Sequence, residues 1–244
     1  TISADINGDE FQDLIMMGGS NKIYLVFGSK DDIKSTPSEV IISTDTQNNT
    51  IGPQVGSKIL FMDNFLSAGD VNGDGLADIL IGAWDDKTKQ YVAFLFYGRT
   101  TWAEDITTYH ADATFLAGDP ALAKYHNFLI VGNIDSDSNH REDILIGSYA
   151  FGEEDSGRGE YLLFSGNDFS DTVTFADHDI RISYPAANKE EMEQLKPYRA
   201  DDINGDGFDD LLFGAPYQNN AAGKIYLVYG RKDLMFIYKG ENIF

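Results

Sequence analysis

The fold is decided by one stretch of the chain, Asp202-Ile-Asn204-Gly-Asp206-Gly-Phe208-Asp-Asp210-Leu-Leu-Phe-Gly214. Side-chain oxygens stand at positions 1, 3, 5 and 9 of its loop, and glycine allows the tight bend between them. An apolar run typical of a β-strand follows directly. The stretch therefore predicts an oxygen-rich loop that binds a hard cation and leads into a strand.

The same unit of loop and strand occurs three more times. The loops begin at residues 5, 70, 133 and 202, so successive copies lie 65, 63 and 69 residues apart. A self-similar unit at a long and nearly constant period is typical of a repeat fold. We therefore expect one segment of four repeats, with approximate bounds 1–56, 57–122, 123–188 and 189–244.

Each repeat contains enough extended runs for about four strands. A second apolar and aromatic run ends at glycine after each loop, at 22–28, 91–98, 161–166 and 224–230. Other extended candidates are 39–43, 58–62, 127–131, 173–175 and 197–200, and 188–195 reads as a short helix. Apolar residues at consecutive positions require cover on both sheet faces. The predicted fold class is therefore all-β, a β-propeller of four-stranded blades.

Calcium suits these loops, because it takes six to eight oxygen ligands. Position 7 would contribute its backbone carbonyl. The assigned ligands are Asp5, Asn7, Asp9, Phe11 and Asp13; Asp70, Asn72, Asp74, Leu76 and Asp78; and Asp202, Asn204, Asp206, Phe208 and Asp210. We expect three to four structural Ca²⁺ ions.

The third loop can be read in two registers. One uses Asn133, Asp135, Asp137 and Asp143 with a two-residue insertion, and the other begins at Asp135 and adds Asn139. The first register keeps an apolar residue at position 2, as in the other loops, and we assign its four residues as ligands. The alternative for every loop is a set of metal-free Asx-turns, in which neighbouring carboxylates would repel one another.

Composition narrows the range of partners. The chain has 244 residues, no cysteine, and a net charge of −22 from 40 acidic and 18 basic residues. Nucleic acids and anionic membranes bind through lysine and arginine, so we expect neither as a partner. Calcium is abundant outside cells, which favours an extracellular or cell-surface location.

The four units resemble the FG-GAP repeats of the integrin α-subunit β-propeller. The fourth repeat carries the resemblance best, because Phe213-Gly214-Ala215-Pro216 matches the Gly-Ala-Pro of that family. The second repeat has Gly82-Ala83-Trp84 at the same place. The resemblance implies a larger ring, typically of seven blades, of which four repeats are present here.

The resemblance also implies a function. We expect a calcium-stabilised binding or adhesion scaffold without catalytic residues, whose protein or glycan ligand lies on the face opposite the calcium loops. Further blades would come from the parent chain or from a partner chain. Two alternatives stay open, a propeller domain of a secreted hydrolase or polysaccharide lyase, and a structural interaction domain of a larger surface assembly.

Overall fold

Within the residues that the structure describes, the strands form four sheets that follow one another along the chain. The computed structural model describes residues 1–19, 21–30, 39–44, 59–118, 125–135, 140–148, 158–185, 196–215 and 224–231. The predicted helix at 188–195 and the predicted ligand Asp137 lie outside these residues.

The strand order within each sheet repeats the same plan. Sheet 1 contains β1 (Ile2–Ala4), β2 (Asp13–Gly18), β3 (Lys22–Val26), β4 (Glu39–Ser43) and β8 (Asp105–Thr107). Sheet 2 contains β5 (Ile59–Gly69), β6 (Asp78–Asp85), β7 (Gln90–Phe96), β9 (Ala113–Leu116) and β13 (Asp171–Thr174). Sheet 3 contains β10 (Tyr125–Gly132), β11 (Asp143–Ser148), β12 (Arg158–Phe164) and β14 (Ile180–Pro185). Sheet 4 contains β15 (Lys196–Arg199), β16 (Leu211–Ala215) and β17 (Lys224–Val228).

The acidic loops all occupy the same place in this plan. Each one joins the first strand of a sheet to the second, and the strands within one repeat pair antiparallel. The first strands contact one another from sheet to sheet in the order β1, β5, β10 and β15. The described part of the chain is therefore all-β, as predicted, and its successive sheets are consistent with a propeller.

The expectation of four strands per sheet is wrong for sheets 1 and 2, which have five. In the second and third repeats, a short strand lies in sequence between the third and fourth strands. This short strand does not join the sheet of its own repeat but pairs with the outer edge of the preceding sheet. Thus β8 pairs parallel to β4, with Ile106 beside Ile42, and β13 pairs parallel to β9. The run at 173–175 therefore belongs partly to the preceding sheet and not to the outside of its own.

Apolar side chains fill the spaces between consecutive sheets. Sheet 1 packs on sheet 2 through a cluster of buried apolar residues that includes Ile15, Phe94 and Trp102. A second cluster joins sheets 2 and 3, and a third joins sheets 3 and 4. Both faces of the middle sheets are thus covered, which explains why their strands are apolar at consecutive positions.

Candidate metal centres

The second loop is wound around its first carboxylate. Asp70 accepts hydrogen bonds through Oδ1 from the N–H groups of Gly73 (2.7 Å) and Asp74 (3.1 Å), and through Oδ2 from that of Gly75 (2.9 Å). Asp74 in turn accepts one from the N–H of Leu76 (2.9 Å). The side chains therefore build the bend through Asx-turns and turn their oxygens towards the inside of the loop.

The first and fourth loops repeat this arrangement. Asp5 accepts from the N–H groups of Gly8 (2.7 Å) and Glu10 (2.9 Å), and Asp202 accepts from that of Gly205 at 2.7 Å. Glu10 has a φ of 69°, where the second loop has a glycine at 87°. A side chain with positive φ is strained, so the first loop holds its bend less favourably than the others.

The aspartate at position 9 clamps its loop to the end of the third strand. One carboxylate oxygen accepts from the N–H at loop position 2, and the other accepts from the N–H of the glycine that follows the third strand. The four clamps join Asp13 to Ile6 and Gly28, Asp78 to Val71 and Gly98, Asp143 to Ile134 and Gly166, and Asp210 to Ile203 and Gly230, at 2.8–3.0 Å. All four carboxylates are completely buried.

Burial makes three of these carboxylates, those of Asp13, Asp78 and Asp143, difficult to ionise. It raises the pKa of Asp78 to about 7, although the N–H groups of Gly98 and Val71 favour the charged form. Burial, together with the neighbouring charge of Asp135, also raises the pKa of Asp143 to about 7. The pKa of Asp13 is raised as well, mainly by burial. A cation bound in the loop would reverse this effect, because an opposite charge favours the ionised carboxylate.

In its described residues 133–135, the third loop makes the backbone hydrogen bonds that loop positions 1 to 3 make in the second loop. Ile134 is completely buried and donates its N–H to Asp143 at 2.8 Å, as Ile6 does to Asp13. Asp135 accepts a hydrogen bond from the hydroxyl of Ser165, a contact that the sequence pattern does not indicate. The backbone N–H of Asp135 also bonds Asp143, at 3.2 Å, as that of Asn72 bonds Asp78 at 3.3 Å.

The donor chemistry of the loops fits calcium. The carboxylate, amide and carbonyl oxygens of each loop are the ligands that calcium prefers. Among the described residues, however, no three Asp, Glu, His or Cys side chains stand close enough to hold a metal by themselves. In the second loop, for example, Asp74 Oδ2 accepts from the amide of Asn72 at 3.0 Å. A metal would therefore depend also on the Asn oxygen and the position-7 carbonyl, and its binding would compete with this hydrogen bond.

Neighbouring loops are joined through their backbones. The carbonyl at position 1 of one loop accepts a hydrogen bond from the residue just before the clamping aspartate of the next. These bonds run from Ala77 to Asp5 (2.9 Å), from Glu142 to Asp70 (2.8 Å) and from Asp209 to Asn133 (3.0 Å). The loops therefore form a continuous series along one end of the sheets, and a change in one loop bears directly on its neighbour.

A charged network lies beside this series, between the third and fourth sheets. Arg199 donates to Glu142 Oε1 at 2.5 Å and to Asp201 at 2.8 Å. Glu142 Oε2 is buried and has no hydrogen-bond partner within the described residues. Burial raises the pKa of Glu142 in spite of Arg199. The sequence pattern does not indicate this network, because Glu142 and Arg199 lie in different repeats.

A surface cavity of about 430 Å³ also opens at the loop end of the sheets. Arg141, Ser165, Asn167, Phe169 and Asp179 contribute to its lining. Its polar groups already bond within the protein, since Arg141 pairs with Asp168 at 3.2 Å and Asp179 accepts from the N–H of Ser165 at 2.9 Å. The cavity therefore gives no clear indication of a ligand.

Clamped acidic loops that recur between the first two strands of successive sheets define a class of β-repeat proteins. The FG-GAP repeat family matches the chain at residues 64–90 and 200–228, which contain the second and fourth loops. Integrin alpha pat-2 of Caenorhabditis briggsae is 32% identical over 90 residues, which cover 34% of this chain and 7% of that protein. The chain thus contains two stretches that match the FG-GAP repeat, and over part of its length it is similar to an integrin α chain.

The chain spans only a small part of this curated relative, so the activity of the whole protein does not transfer with the match. Within the described residues, no helix has the length and apolarity needed to cross a membrane.

Proposed function

We propose that this chain is a calcium-stabilised β-propeller segment that acts outside the cell as a binding or adhesion scaffold and not as an enzyme. The observation that carries the proposal is the set of completely buried position-9 aspartates, each held in an oxygen-rich loop. A buried carboxylate without a nearby positive charge costs free energy, and a divalent cation would remove that cost. The similarity to an integrin α chain favours binding over catalysis and a location at the cell surface.

Calcium has a structural task in this proposal. It would hold the carboxylates and the bend of each loop, and with them the first two strands of each sheet. Because the loops are joined in series, it would also stabilise the packing between sheets. Ligand stabilisation grows with the logarithm of free ligand concentration above Kd, so the effect should follow the calcium concentration.

Calorimetric unfolding tests this proposal directly. We expect the Tm to fall by many degrees in EDTA and to recover with added Ca²⁺. Isothermal titration of the chelated protein should show three to four bound ions. The matched variant Asp206→Ala should lose one ion, while Asp86→Ala, in the turn at the opposite end of sheet 2, should lose none. A Tm that is the same with and without EDTA would refute the calcium proposal.

The scaffold function requires a ligand surface. By analogy with the family, we place it at the end of the sheets opposite the loops, where the β6–β7 turn presents Lys87 and Lys89 to solvent. Its test is binding of the labelled protein to a panel of extracellular matrix proteins and glycans. Charge reversal at Lys87 and Lys89 should weaken binding, whereas Lys30→Glu, at the loop end, should not. Equal loss in both variants, or binding to no member of the panel, would count against this surface.

A further inference from the structure

All Asn-Gly dipeptides of the chain lie in the acidic loops. They are Asn7-Gly8, Asn72-Gly73 and Asn204-Gly205, at loop positions 3 and 4, and every other asparagine precedes a different residue. An asparagine before glycine is especially prone to lose its side-chain amide, because glycine has no Cβ to shield its backbone nitrogen. The loops therefore hold the asparagines most prone to deamidation at a position where a metal ligand is predicted.

Deamidation needs only the chain itself and water. The glycine nitrogen bonds to Cγ of the asparagine and gives up its proton, the Cγ–Nδ2 bond breaks, and the amide nitrogen leaves as ammonia. Water then opens the five-membered imide at one of its two carbonyls. One opening gives aspartate, and the other gives isoaspartate, in which the main chain runs through the side-chain carbonyl and is longer by one carbon. Either product removes the amide from loop position 3.

In the second loop, hydrogen bonds hold both groups that would react. The N–H of Gly73 donates to Oδ1 of Asp70 at 2.7 Å. The side-chain amide of Asn72 donates through Nδ2 to Asp74 at 3.0 Å, and its Oδ1 accepts from the N–H of Asp74 at 2.9 Å. The attacking nitrogen is thus held by one bond and the amide by two. The closed loop therefore resists the rotations that would bring the nitrogen onto Cγ.

The first and fourth loops make the same three hydrogen bonds. The glycine N–H donates to the position-1 aspartate at 2.7 Å in both, from Gly8 to Asp5 and from Gly205 to Asp202. The amides of Asn7 and Asn204 each make two bonds with the aspartate at position 5, at 2.9–3.2 Å. Asn7 and Asn72 are only half-buried and Asn204 is exposed, so water reaches all three. Their protection therefore comes from these hydrogen bonds and not from burial.

The third loop shows how the fold accommodates an acid at position 3. It has Asp135 there, and the hydroxyl of Ser165, just before the glycine that follows the third strand, donates to this carboxylate. In the first repeat the residue at the place of Ser165 is Phe27, which has no hydroxyl. In the second it is Tyr97, whose hydroxyl donates to the carbonyl of Phe169 at 2.7 Å. An aspartate formed in these loops would repel the position-5 carboxylate without such a donor.

We propose that Asn7, Asn72 and Asn204 are deamidation sites that react only when the hydrogen bond from the following glycine to the position-1 aspartate opens. Aspartate then adds a negative charge beside position 5, and isoaspartate lengthens the main chain within the tight bend. A loop that has reacted cannot restore the bonds of its amide, so its local opening becomes irreversible. The extent of conversion therefore records how long each loop has been open.

Peptide mapping by mass spectrometry tests the proposal. The chain is kept at slightly alkaline pH in native buffer and, in parallel, in guanidinium chloride, and fragment spectra locate each amide that has become an acid. The three sites should react at least about tenfold more slowly in the native chain, because only the open fraction of a loop reacts. Asn7 should be the fastest of them, because Glu10 strains its bend. All samples contain EDTA and stay well below the Tm, so the result does not depend on the calcium proposal.

Two variants remove the protecting acceptor from one loop at a time. Asp70→Ala should bring the rate at Asn72 close to that of the denatured chain and leave Asn204 slow in the same molecules. Asp202→Ala should do the reverse. Asp86→Ala, at an exposed aspartate outside the loops, should change neither rate.

Circular dichroism establishes that each variant is folded, and the comparison of native with denatured wild type needs no variant. Wild-type sites that react equally fast in native buffer and in guanidinium chloride would overturn the proposal. A folded Asp70→Ala chain in which Asn72 stays slow would do the same. So would one in which Asn72 and Asn204 accelerate together, because the protection would then belong to the fold as a whole and not to the loop.

Discussion

Asp78 accepts a hydrogen bond from the backbone N–H of Gly98, which lies 20 residues further along the chain and 2.9 Å from the carboxylate. Its other oxygen accepts from the N–H of Val71 at 2.8 Å. One buried side chain therefore ties together the loop, the start of the second strand and the end of the third. This aspartate thus has a structural role that exists before any metal binds.

Replacing Asp78 should cost stability even in the absence of calcium. Asp78→Ala leaves the N–H groups of Gly98 and Val71 without their acceptor, at about 1–3 kcal/mol for each buried donor. Asp74→Ala removes a predicted ligand of the same loop, but Asp74 is exposed and takes no part in the clamp. Urea unfolding in EDTA, at a pH close to the ordinary aspartate pKa of 3.8 where burial of the carboxyl costs little, should therefore show a large loss for Asp78→Ala alone.

The two variants should behave differently when calcium is restored. Asp74→Ala should then have a lower free energy of unfolding than the wild type, because it binds the calcium ion of the second loop less well. If Asp74→Ala and Asp78→Ala lost the same free energy of unfolding in EDTA, the clamp would have no role apart from the metal.

The calcium-free protein should become less stable as the pH rises from about 4 to about 7. Asp78 and Asp143 have folded-state pKa values of about 7, above the ordinary value of 3.8. A raised folded pKa means that the folded state holds the proton more tightly, so the stabilisation is complete below about 3.8 and is lost as pH passes 7. Between these values each group contributes a slope of about 1.4 kcal/mol per pH unit.

Denaturation in EDTA across this pH range measures the effect. The high net negative charge of the chain also makes the folded state more stable at low pH, so a control is needed. Asp78→Asn cannot titrate at this position, and its free energy of unfolding should therefore fall less steeply with pH than that of the wild type. Saturating calcium should abolish the difference in slope between the wild type and Asp78→Asn, since the cation favours the ionised carboxylate. Parallel slopes for the two proteins in EDTA would contradict the role assigned to Asp78.

The local parts of this structure follow from the sequence, and the long-range parts do not. The strands after each loop could be recognised because apolar and aromatic residues run up to a glycine, as in β7 before Gly98. The parallel pairing of β8 with β4 could not, because β8 has only three residues and its partner lies in another repeat. Likewise, spacing identified Asp78 as a candidate ligand, but its bond to Gly98 depends on how the sheet folds back.

Gly98 should tolerate no side chain. A Cβ there would lie 2.6 Å from the Cβ of Leu76 and 2.7 Å from the carbonyl oxygen of Ala77, so the second loop would have to move. We expect Gly98→Ala to cost about 1–3 kcal/mol, as overpacking typically does. It should also weaken calcium binding at that loop. Gly214→Ala is the control, because a Cβ at Gly214 meets no atom within 4 Å. Thermal unfolding that ranks the two variants equally would show that the loop adapts.

Among the Lys and Arg side chains of the described residues, that of Arg199 should contribute most to the stability of the fold. It pairs with Glu142, whose side chain is only 17% exposed, and its own side chain is 38% exposed. Arg199→Met would leave Glu142 partly buried beside Asp209 with no positive partner. Breaking a fully buried pair costs about 3–5 kcal/mol, and we expect about half of that here because solvent reaches the arginine.

The matched control for Arg199 is the exposed pair between Lys89 and Asp86, at 65% and 50% side-chain exposure. Lys89→Met should change the free energy of unfolding by less than about 1 kcal/mol. The double variant Arg199→Met/Glu142→Gln should recover most of the loss, because it removes the buried charge together with its partner. If the double variant were as unstable as Arg199→Met, the cost would come from lost packing around the arginine stem and not from the unpaired carboxylate.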